Sequence, residues 1–256
     1  MKENKKHPFN RKNVAMIVTG VLIVCIAVGV FYVFNREDPN KITAVGNTAS
    51  PVVPAVETTS ASLPAECTDV NSFQYIVNKK VGVISQDYVP ADLVDPENVE
   101  STSGVITVRQ ETATKLEEMV KAAKDGGVTL LVSTAYRSYA DQELVYSSFS
   151  SLGEASASMV CEKAGYSEHQ LGLGVDFTDN AETPNQTVSF AETDAGKWLY
   201  EHAHEYGFIL RYPEGKESIT GYNYMPWHYR YVGTDVANAI YSTAPDCTME
   251  EYFGLN

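Results

Sequence analysis

The sequence is poor in basic residues. It has 19 lysines and arginines against 33 aspartates and glutamates in 256 residues, for a formal net charge of −14. Such an acidic chain is repelled by phosphate backbones, which argues against nucleic acid as a partner. The basic residues are also unevenly placed, because residues 1–12 hold five of them beside one glutamate. A basic N-terminus is therefore set apart from an acidic remainder.

Cysteine is scarce as well. The four cysteines are Cys25, Cys67, Cys161 and Cys247, and no two of them form a Cys-x-x-Cys pair, so a cysteine zinc site is disfavoured. If the domain lies outside the cell, one disulfide is compatible with this spacing, with Cys67 and Cys247 bracketing the domain. A fully reduced chain is the alternative.

One long apolar run covers residues 14–34, broken only by Thr19 and two glycines. As a helix it is long enough to span ~30 Å of hydrocarbon, and the basic residues before it favour a cytoplasmic N-terminus. The run lacks a following Ala-x-Ala cleavage site, and Val24 replaces the small residue expected before a lipidated Cys25. We therefore predict a cytoplasmic segment at 1–13 and an uncleaved single-pass anchor at 14–34, rather than a cleaved signal peptide.

Residues 35–65 have few large side chains and no hydrophobic period. Four prolines stand among many Thr, Ser, Ala and Val residues, which is typical of an extended, mobile linker. The remaining residues, 66–256, are enough for one sizeable domain. The predicted arrangement is an extracellular domain held away from the cell membrane by this linker.

The domain lacks both an internal repeat and a regular alternation of strand, helix and strand. Apolar residues in 108–124 follow a helical period that stops at Gly126-Gly127. Further helices are predicted at 139–149, 154–163, 194–206 and 234–242, and strands at 73–77, 128–133, 208–212 and 224–232. This mixture favours an α+β fold with a small, mostly antiparallel sheet and flanking helices.

The residues typical of a metal site are two histidines and one aspartate. His169 and Asp176 are seven positions apart with two glycines between them, which suits a loop running into a strand. His228 lies in an aromatic, strand-like run. Two histidines and a carboxylate are a usual ligand set for catalytic zinc, with a fourth position left for water. The alternative is that both histidines are core residues satisfied by hydrogen bonds.

Five segments, taken in order, resemble the VanY family, the zinc D-alanyl-D-alanine carboxypeptidases of the vancomycin-resistance type. The segments are Ser133-Thr134-Ala135-Tyr136-Arg137-Ser138-Tyr139, Gly165-Tyr166-Ser167-Glu168-His169-Gln170-Leu171-Gly172, Tyr206-Gly207-Phe208, Arg211-Tyr212-Pro213 with Gly215-Lys216-Glu217, and Pro226-Trp227-His228-Tyr229-Arg230-Tyr231-Val232-Gly233. Together they span most of residues 73–256, and their combination is far more specific than any one of them.

The resemblance implies that His169, Asp176 and His228 bind Zn²⁺. It implies that Arg137 and Ser167 hold the terminal carboxylate and neighbouring carbonyl of a peptide, and Gln142 is assigned to the same substrate-binding set. The implied reaction removes the terminal D-alanine from peptidoglycan stem peptides. The implied fold is the small α+β fold that these peptidases share with the hedgehog signalling domain. An Arg suits the task because its guanidinium grips a carboxylate in a bidentate manner.

Met225 departs from the family pattern. That pattern reads Glu-Pro-Trp-His, and its Glu takes a proton from the attacking water, whereas this chain reads Met225-Pro226-Trp227-His228. A thioether cannot accept that proton, and loss of a general base typically costs ~10²–10⁴ in rate.

Three interpretations of Met225 follow. In the first, another carboxylate, such as Glu168 or Glu217, serves as the base of an active peptidase. In the second, the chain is an impaired homologue that binds cell-wall peptides. In the third, the substitution was made to trap a bound state. Both of the first two need the same three metal ligands. A further alternative is a domain without zinc.

Overall fold

The structure is a computed structural model that describes residues 63–151, 153–182 and 186–255. The predicted cytoplasmic segment, membrane anchor and most of the linker lie outside these residues. Among the described helices, none has the length and apolar character needed to cross a membrane.

The described residues contain six strands and seven α-helices. The strands are β1 (Leu93–Val94), β2 (Val108–Arg109), β3 (Leu131–Thr134), β4 (Gly174–Thr178), β5 (Phe208–Leu210) and β6 (His228–Tyr231). The helices are α1 (Gln110–Asp125), α2 (Tyr139–Ser150), α3 (Glu154–Val160), α4 (Asp194–His202), α5 (Glu217–Thr220), α6 (Thr234–Thr243) and α7 (Met249–Tyr252). Short 3₁₀ turns cover Ala65–Cys67, Glu168–Leu171, Val188–Glu192 and Ala203–Tyr206.

The main sheet has the strand order β3-β4-β6-β5, with every neighbouring pair antiparallel. Strands β1 and β2 form a separate antiparallel pair. The predicted α+β class, with a small antiparallel sheet and flanking helices, is therefore confirmed for the described part of the chain. Alternation along the strands gives the sheet two different faces. Phe177 and Tyr229 pack edge to face within the apolar core, while Asp176 and His228 are paired partners on the other face.

Helix α1 illustrates how the core is built. Leu116, Met119, Val120 and Ala123 are all buried, as their helical spacing predicts. The helix ends at Asp125, one residue before the predicted glycine stop. Burying four such side chains removes a continuous apolar stripe from water, at ~25 cal/mol per Å². The helix thereby forms one wall of the core.

The strand predicted at residues 73–77 is wrong. Two carbonyls in this segment, those of Phe73 and Tyr75, accept hydrogen bonds from the Arg230 guanidinium at 2.9 Å each. These two carbonyls are therefore satisfied by a side chain instead of a neighbouring strand. The strand predicted at 224–232 is shorter than expected, because the residues before His228 form a turn in which His228 N–H donates to the Met225 carbonyl.

Cys67 and Cys247 both lie buried in one apolar cluster with Ile76, Val232 and Met249. The disulfide that their spacing allows is not formed, and both thiols are unbridged, as in the reduced alternative. The first and last parts of the domain nevertheless meet at this cluster, because Cys67 lies near its start and Cys247 near its end.

Candidate metal centre

His169, Asp176 and His228 converge at one buried point. Each offers a ligand atom, and these atoms all lie within 4.8 Å of one another. His169 Nε2 is 3.4 Å from one carboxylate oxygen of Asp176, and His228 Nδ1 is 2.7 Å from the other. All three side chains are buried. The sequence reasoning thus named three residues that the fold brings together.

Two glycines allow the chain to make this approach. Gly172 ends the turn that carries His169, with φ of 65°, and a Cβ there would lie 2.8 Å from Leu93 Cδ2. Gly174 begins β4, and a Cβ there would lie 3.2 Å from His228 Cε1. Any side chain at Gly174 would therefore press against a ring of the cluster.

The hydrogen bonds of the two histidines select the nitrogen that each presents. His169 Nδ1 lies 2.7 Å from the Ala135 carbonyl, an acceptor, so this nitrogen carries the proton and Nε2 keeps its lone pair. His228 turns Nδ1 toward Asp176, while its Nε2 points to Glu168 Oε2 at 3.6 Å. The available atoms are therefore His169 Nε2, His228 Nδ1 and the Asp176 carboxylate. This donor set fits zinc, because catalytic zinc sites use three protein ligands and leave a fourth position for water or substrate.

The electrostatics of the cluster follow from burial and close charges. In the protein without a metal, burial lowers the pKa of His228, but Asp176 and Glu168 outweigh burial and raise it to about 10. Burial raises the pKa of Asp176, yet the adjacent His169 and His228 hold it well below its usual range. The metal-free site thus contains an imidazolium against a carboxylate, and a metal must displace a proton to bind.

Glu168, predicted as a substitute base, is fully buried and firmly held. Its Oε1 lies 2.7 Å from both Arg211 Nε and Arg230 Nη1. Burial alone would raise the pKa of Glu168, but the two guanidinium groups hold it well below its usual range. A carboxylate so stabilised in its charged form is a poor proton acceptor. Its remaining oxygen faces His228 Nε2, which is the position of a group that orients a metal ligand.

Arg137 and Ser167 lie beside the cluster with unused polar atoms. The backbone N–H of Arg137 donates to the His169 carbonyl at 3.2 Å, which ties Arg137 to a predicted ligand. Within the described residues, Arg137 Nε and Ser167 Oγ are buried without a hydrogen-bond partner. Buried donors without partners are uncommon in folded proteins and mark places where a ligand completes the hydrogen bonding.

Gln142, predicted to bind substrate, has a different position. It is fully buried, and its amide nitrogen donates to the backbone carbonyl of Glu162 at 2.5 Å. Its donor is therefore used inside the protein, while its amide oxygen is buried without a partner among the described residues, and the contact with substrate stays a prediction. Gln142 instead fixes the backbone at Glu162.

Met225 is buried and packs with Tyr212 and Tyr222, with Trp227 at the edge of the cluster. Its backbone N–H donates to the Tyr212 carbonyl at 3.1 Å. The side chain at this position is thus an apolar wall beside His228. The predicted departure from the family pattern leaves a thioether there and supplies no acid or base.

Sequence reasoning gave no role to four further residues around the site. Arg211, Tyr212 and Arg230 stood within the family-like segments, which was the available signal. Glu162 had no signal in the sequence, because its neighbours in space are far away in the chain.

Comparisons of the sequence with known proteins identify the family to which it is similar. The VanY family model, described as D-alanyl-D-alanine carboxypeptidase, matches residues 105–234. The protein YodJ of Bacillus subtilis (strain 168) is 40% identical over 182 residues, which cover 70% of this chain and 66% of YodJ. A D-alanyl-D-alanine carboxypeptidase of Enterococcus faecium is 34% identical over 185 residues, covering 69% of this chain and 56% of that enzyme. The chain therefore spans between about half and two thirds of these relatives.

Solved structures give the same result. The LdcB LD-carboxypeptidase is 38% identical with a TM-score of 0.65, covering 72% of this chain and 87% of LdcB. A zinc-bound variant of the vancomycin-resistance D,D-pentapeptidase VanY is 31% identical with a TM-score of 0.58, covering 73% of this chain and 99% of that one. The family match, these likenesses and the convergent histidines and aspartate agree: the chain belongs to the VanY family of D-alanyl-D-alanine carboxypeptidases.

Proposed function

We propose that this protein is a membrane-anchored zinc D,D-carboxypeptidase that removes the terminal D-alanine from peptidoglycan stem peptides. The observation that carries the proposal is the buried cluster of His169, Asp176 and His228 beside Arg137, whose buried Nε has no hydrogen-bond partner among the described residues, in a chain of this family. The membrane anchor is supported by the apolar run at 14–34, and it would place the domain on the outer side of the cell membrane, where the substrate lies.

His169 Nε2, Asp176 and His228 Nδ1 would hold the metal. When bound, zinc polarises a scissile carbonyl and lowers the pKa of a coordinated water toward ~7. Arg137 would grip the terminal carboxylate, since a guanidinium matches a carboxylate in a bidentate manner. Ser167 Oγ would donate to the neighbouring carbonyl. Glu168 would keep the His228 ring in the orientation that presents Nδ1.

A second candidate is a binding module that holds cell-wall peptides without cleaving them. The buried Met225 favours it, because no proton acceptor stands at the position that the family uses. Both candidates bind zinc and a peptide ending in D-alanine. They differ in turnover alone.

The deciding experiment measures D-alanine release from a muramyl pentapeptide by the zinc-loaded, full-length protein in detergent, beside its Met225→Glu and His228→Ala variants. We expect the parent to cleave within about tenfold of Met225→Glu, and His228→Ala to lose zinc and activity. A muramyl tetrapeptide tests cleavage of an L,D bond in parallel. Turnover by Met225→Glu alone favours the binding module. No turnover by either protein, together with no binding of D-alanyl-D-alanine, contradicts both candidates.

A further inference from the structure

Asp176 is held by two side chains that do not belong to the metal cluster. Gln186 Nε2 donates to Asp176 Oδ2 at 3.3 Å and to Ser133 Oγ at 3.2 Å. Ser133 Oγ donates in turn to the backbone carbonyl of Asp176 at 3.1 Å. One connected set of hydrogen bonds therefore binds both the carboxylate and the backbone of this predicted ligand, and we call Ser133 and Gln186 the Asp176 clamp.

Ser133 reaches Asp176 because strand β3 has one extra residue. The register pairs Val132 with Phe177 and Thr134 with Asp176, so Ser133 is the residue of β3 that has no counterpart on β4. Such a bulge re-aims a side chain, and bulges are frequent next to active sites. Ser133 is buried, and its hydroxyl is directed at the main chain of the neighbouring strand. The bulge thus places a hydroxyl beside the metal cluster, at a position where a regular strand would continue the ladder.

The hydrogens of the clamp match its acceptors. An ionised carboxylate only accepts hydrogen bonds, so the Gln186 amide must turn its nitrogen toward Asp176. That nitrogen carries two hydrogens, one for Asp176 Oδ2 and one for Ser133 Oγ, and the hydroxyl hydrogen of Ser133 goes to the Asp176 carbonyl. Each of these hydrogens therefore has one acceptor, which favours a single arrangement of the three groups.

The clamp supplies what the two histidines cannot supply once they bind a metal. Asp176 Oδ1 lies 2.7 Å from His228 Nδ1, and Oδ2 lies 3.4 Å from His169 Nε2. Both nitrogens must offer lone pairs to a metal, and neither can then donate a hydrogen to Asp176. Among the described residues, Gln186 is then the side chain that still donates to the carboxylate.

We propose that Ser133 and Gln186 are positioning residues for the metal, which restrain the rotation of the Asp176 carboxylate and thereby set the affinity for zinc. This rests on the zinc site of the proposed function. Neither residue is assigned as a ligand, and both act through Asp176. Hydrogen bonds to metal-ligating groups fix the orientation of the ligand, and their loss typically weakens metal binding by ~10–100-fold.

The test measures zinc affinity by competition with a chromophoric chelator in the full-length protein in detergent, for the parent, Gln186→Met, Ser133→Ala and the double variant. Methionine is close to glutamine in length but lacks the amide donor. The matched control is Gln74→Met, because the Gln74 amide is also partly buried and donates at 2.6 Å to the Val232 carbonyl instead of to a cluster residue. Two further readouts are the visible spectrum of the Co²⁺-substituted protein, which reports the ligand geometry, and the urea midpoint of the metal-free protein.

We expect Gln186→Met to bind zinc ~10–100-fold more weakly than the parent. Ser133→Ala should have a smaller effect in the same direction, and the double variant should lose less than the product of the two single losses, because both residues belong to one network. The Co²⁺ spectrum should change in each clamp variant, and the urea midpoint should fall no further than in Gln74→Met. The zinc affinity and spectrum of Gln74→Met should match the parent. A merely structural role would lower the urea midpoint and leave the spectrum unchanged.

Two results would overturn the clamp while the proposed function stands: Gln186→Met with the zinc affinity and Co²⁺ spectrum of the parent, or an equal loss of zinc affinity in Gln74→Met. If the parent itself binds no zinc, the proposed zinc carboxypeptidase fails and the clamp fails with it.

Discussion

The two sides of the His228 ring are built differently. At its edge, Nε2 faces Glu168, whose charge is neutralised by Arg211 and Arg230. On its face lies Tyr212, whose hydroxyl leads to Glu162, and no cation pairs with that carboxylate among the described residues. A buried carboxylate with two guanidinium partners is fixed in its charged form. Glu162 instead accepts one hydrogen bond from a neutral phenol.

The neutralised side extends well beyond the metal cluster. Arg211 also binds Glu250 in a bidentate manner, at 2.9 and 2.7 Å, and Asn78 donates to the same carboxylate at 2.8 Å. Helix α7 and the N-terminal part of the domain are thereby tied to the residues behind His228. Charges this deeply buried are tolerated because nearly all of their polar atoms are paired.

The largest effect on stability should come from breaking this network. Arg211→Leu leaves Glu168 and Glu250 without their shared cation, and we expect a loss of about 3–5 kcal/mol in the free energy of unfolding. The control is Arg109→Leu, because the Arg109–Asp92 pair at 3.0 Å is partly open to solvent and should contribute about 1 kcal/mol or less. Urea denaturation of the metal-free protein measures both. Equal losses in the free energy of unfolding would show that the buried ion pairs stabilise the protein no more than the partly exposed pair does.

A smaller effect, on zinc affinity, should distinguish Glu168 from Glu162. Glu168→Gln weakens the group that orients the ring, so we expect zinc affinity to fall by ~10–100-fold. Glu162→Gln should leave zinc affinity near the parental value, since Glu162 lies behind Tyr212. Competition with a chromophoric chelator gives both constants. The reverse order of effects would exchange the roles assigned to the two sides.

The smallest and most gradual effect should be the dependence on pH. The pKa of His228 in the metal-free protein is about 10, above the ~6.5 of an unfolded chain. Its contribution to stability is therefore fully present below pH ~6.5 and is lost as pH rises toward 10. Zinc binding must remove this proton, so affinity should rise with pH over the same window. Denaturation and zinc titration at several pH values test these opposite trends, and parallel trends would contradict them.

Much of the fold was predictable because its elements carry local signals. The apolar period of α1 and the glycine stop that follows it are set by residues close in sequence, and the structure agrees with both. The strand predicted at 73–77 failed because a distant side chain, Arg230, binds its carbonyls. Local propensity contains no information about such a partner.

The sequence by itself determined the ligand types of the site, their family-like order and the missing acid at Met225. Only the tertiary structure decided which carboxylates are neutralised and which remain. Residues 162 and 212 are 50 positions apart, and residues 168 and 211 are separated by 43. Charge pairing depends on distance in space and on the exclusion of water. For that reason Glu168, next to His169 in the chain, is bound to two arginines, while Glu162 accepts a hydrogen bond from Tyr212.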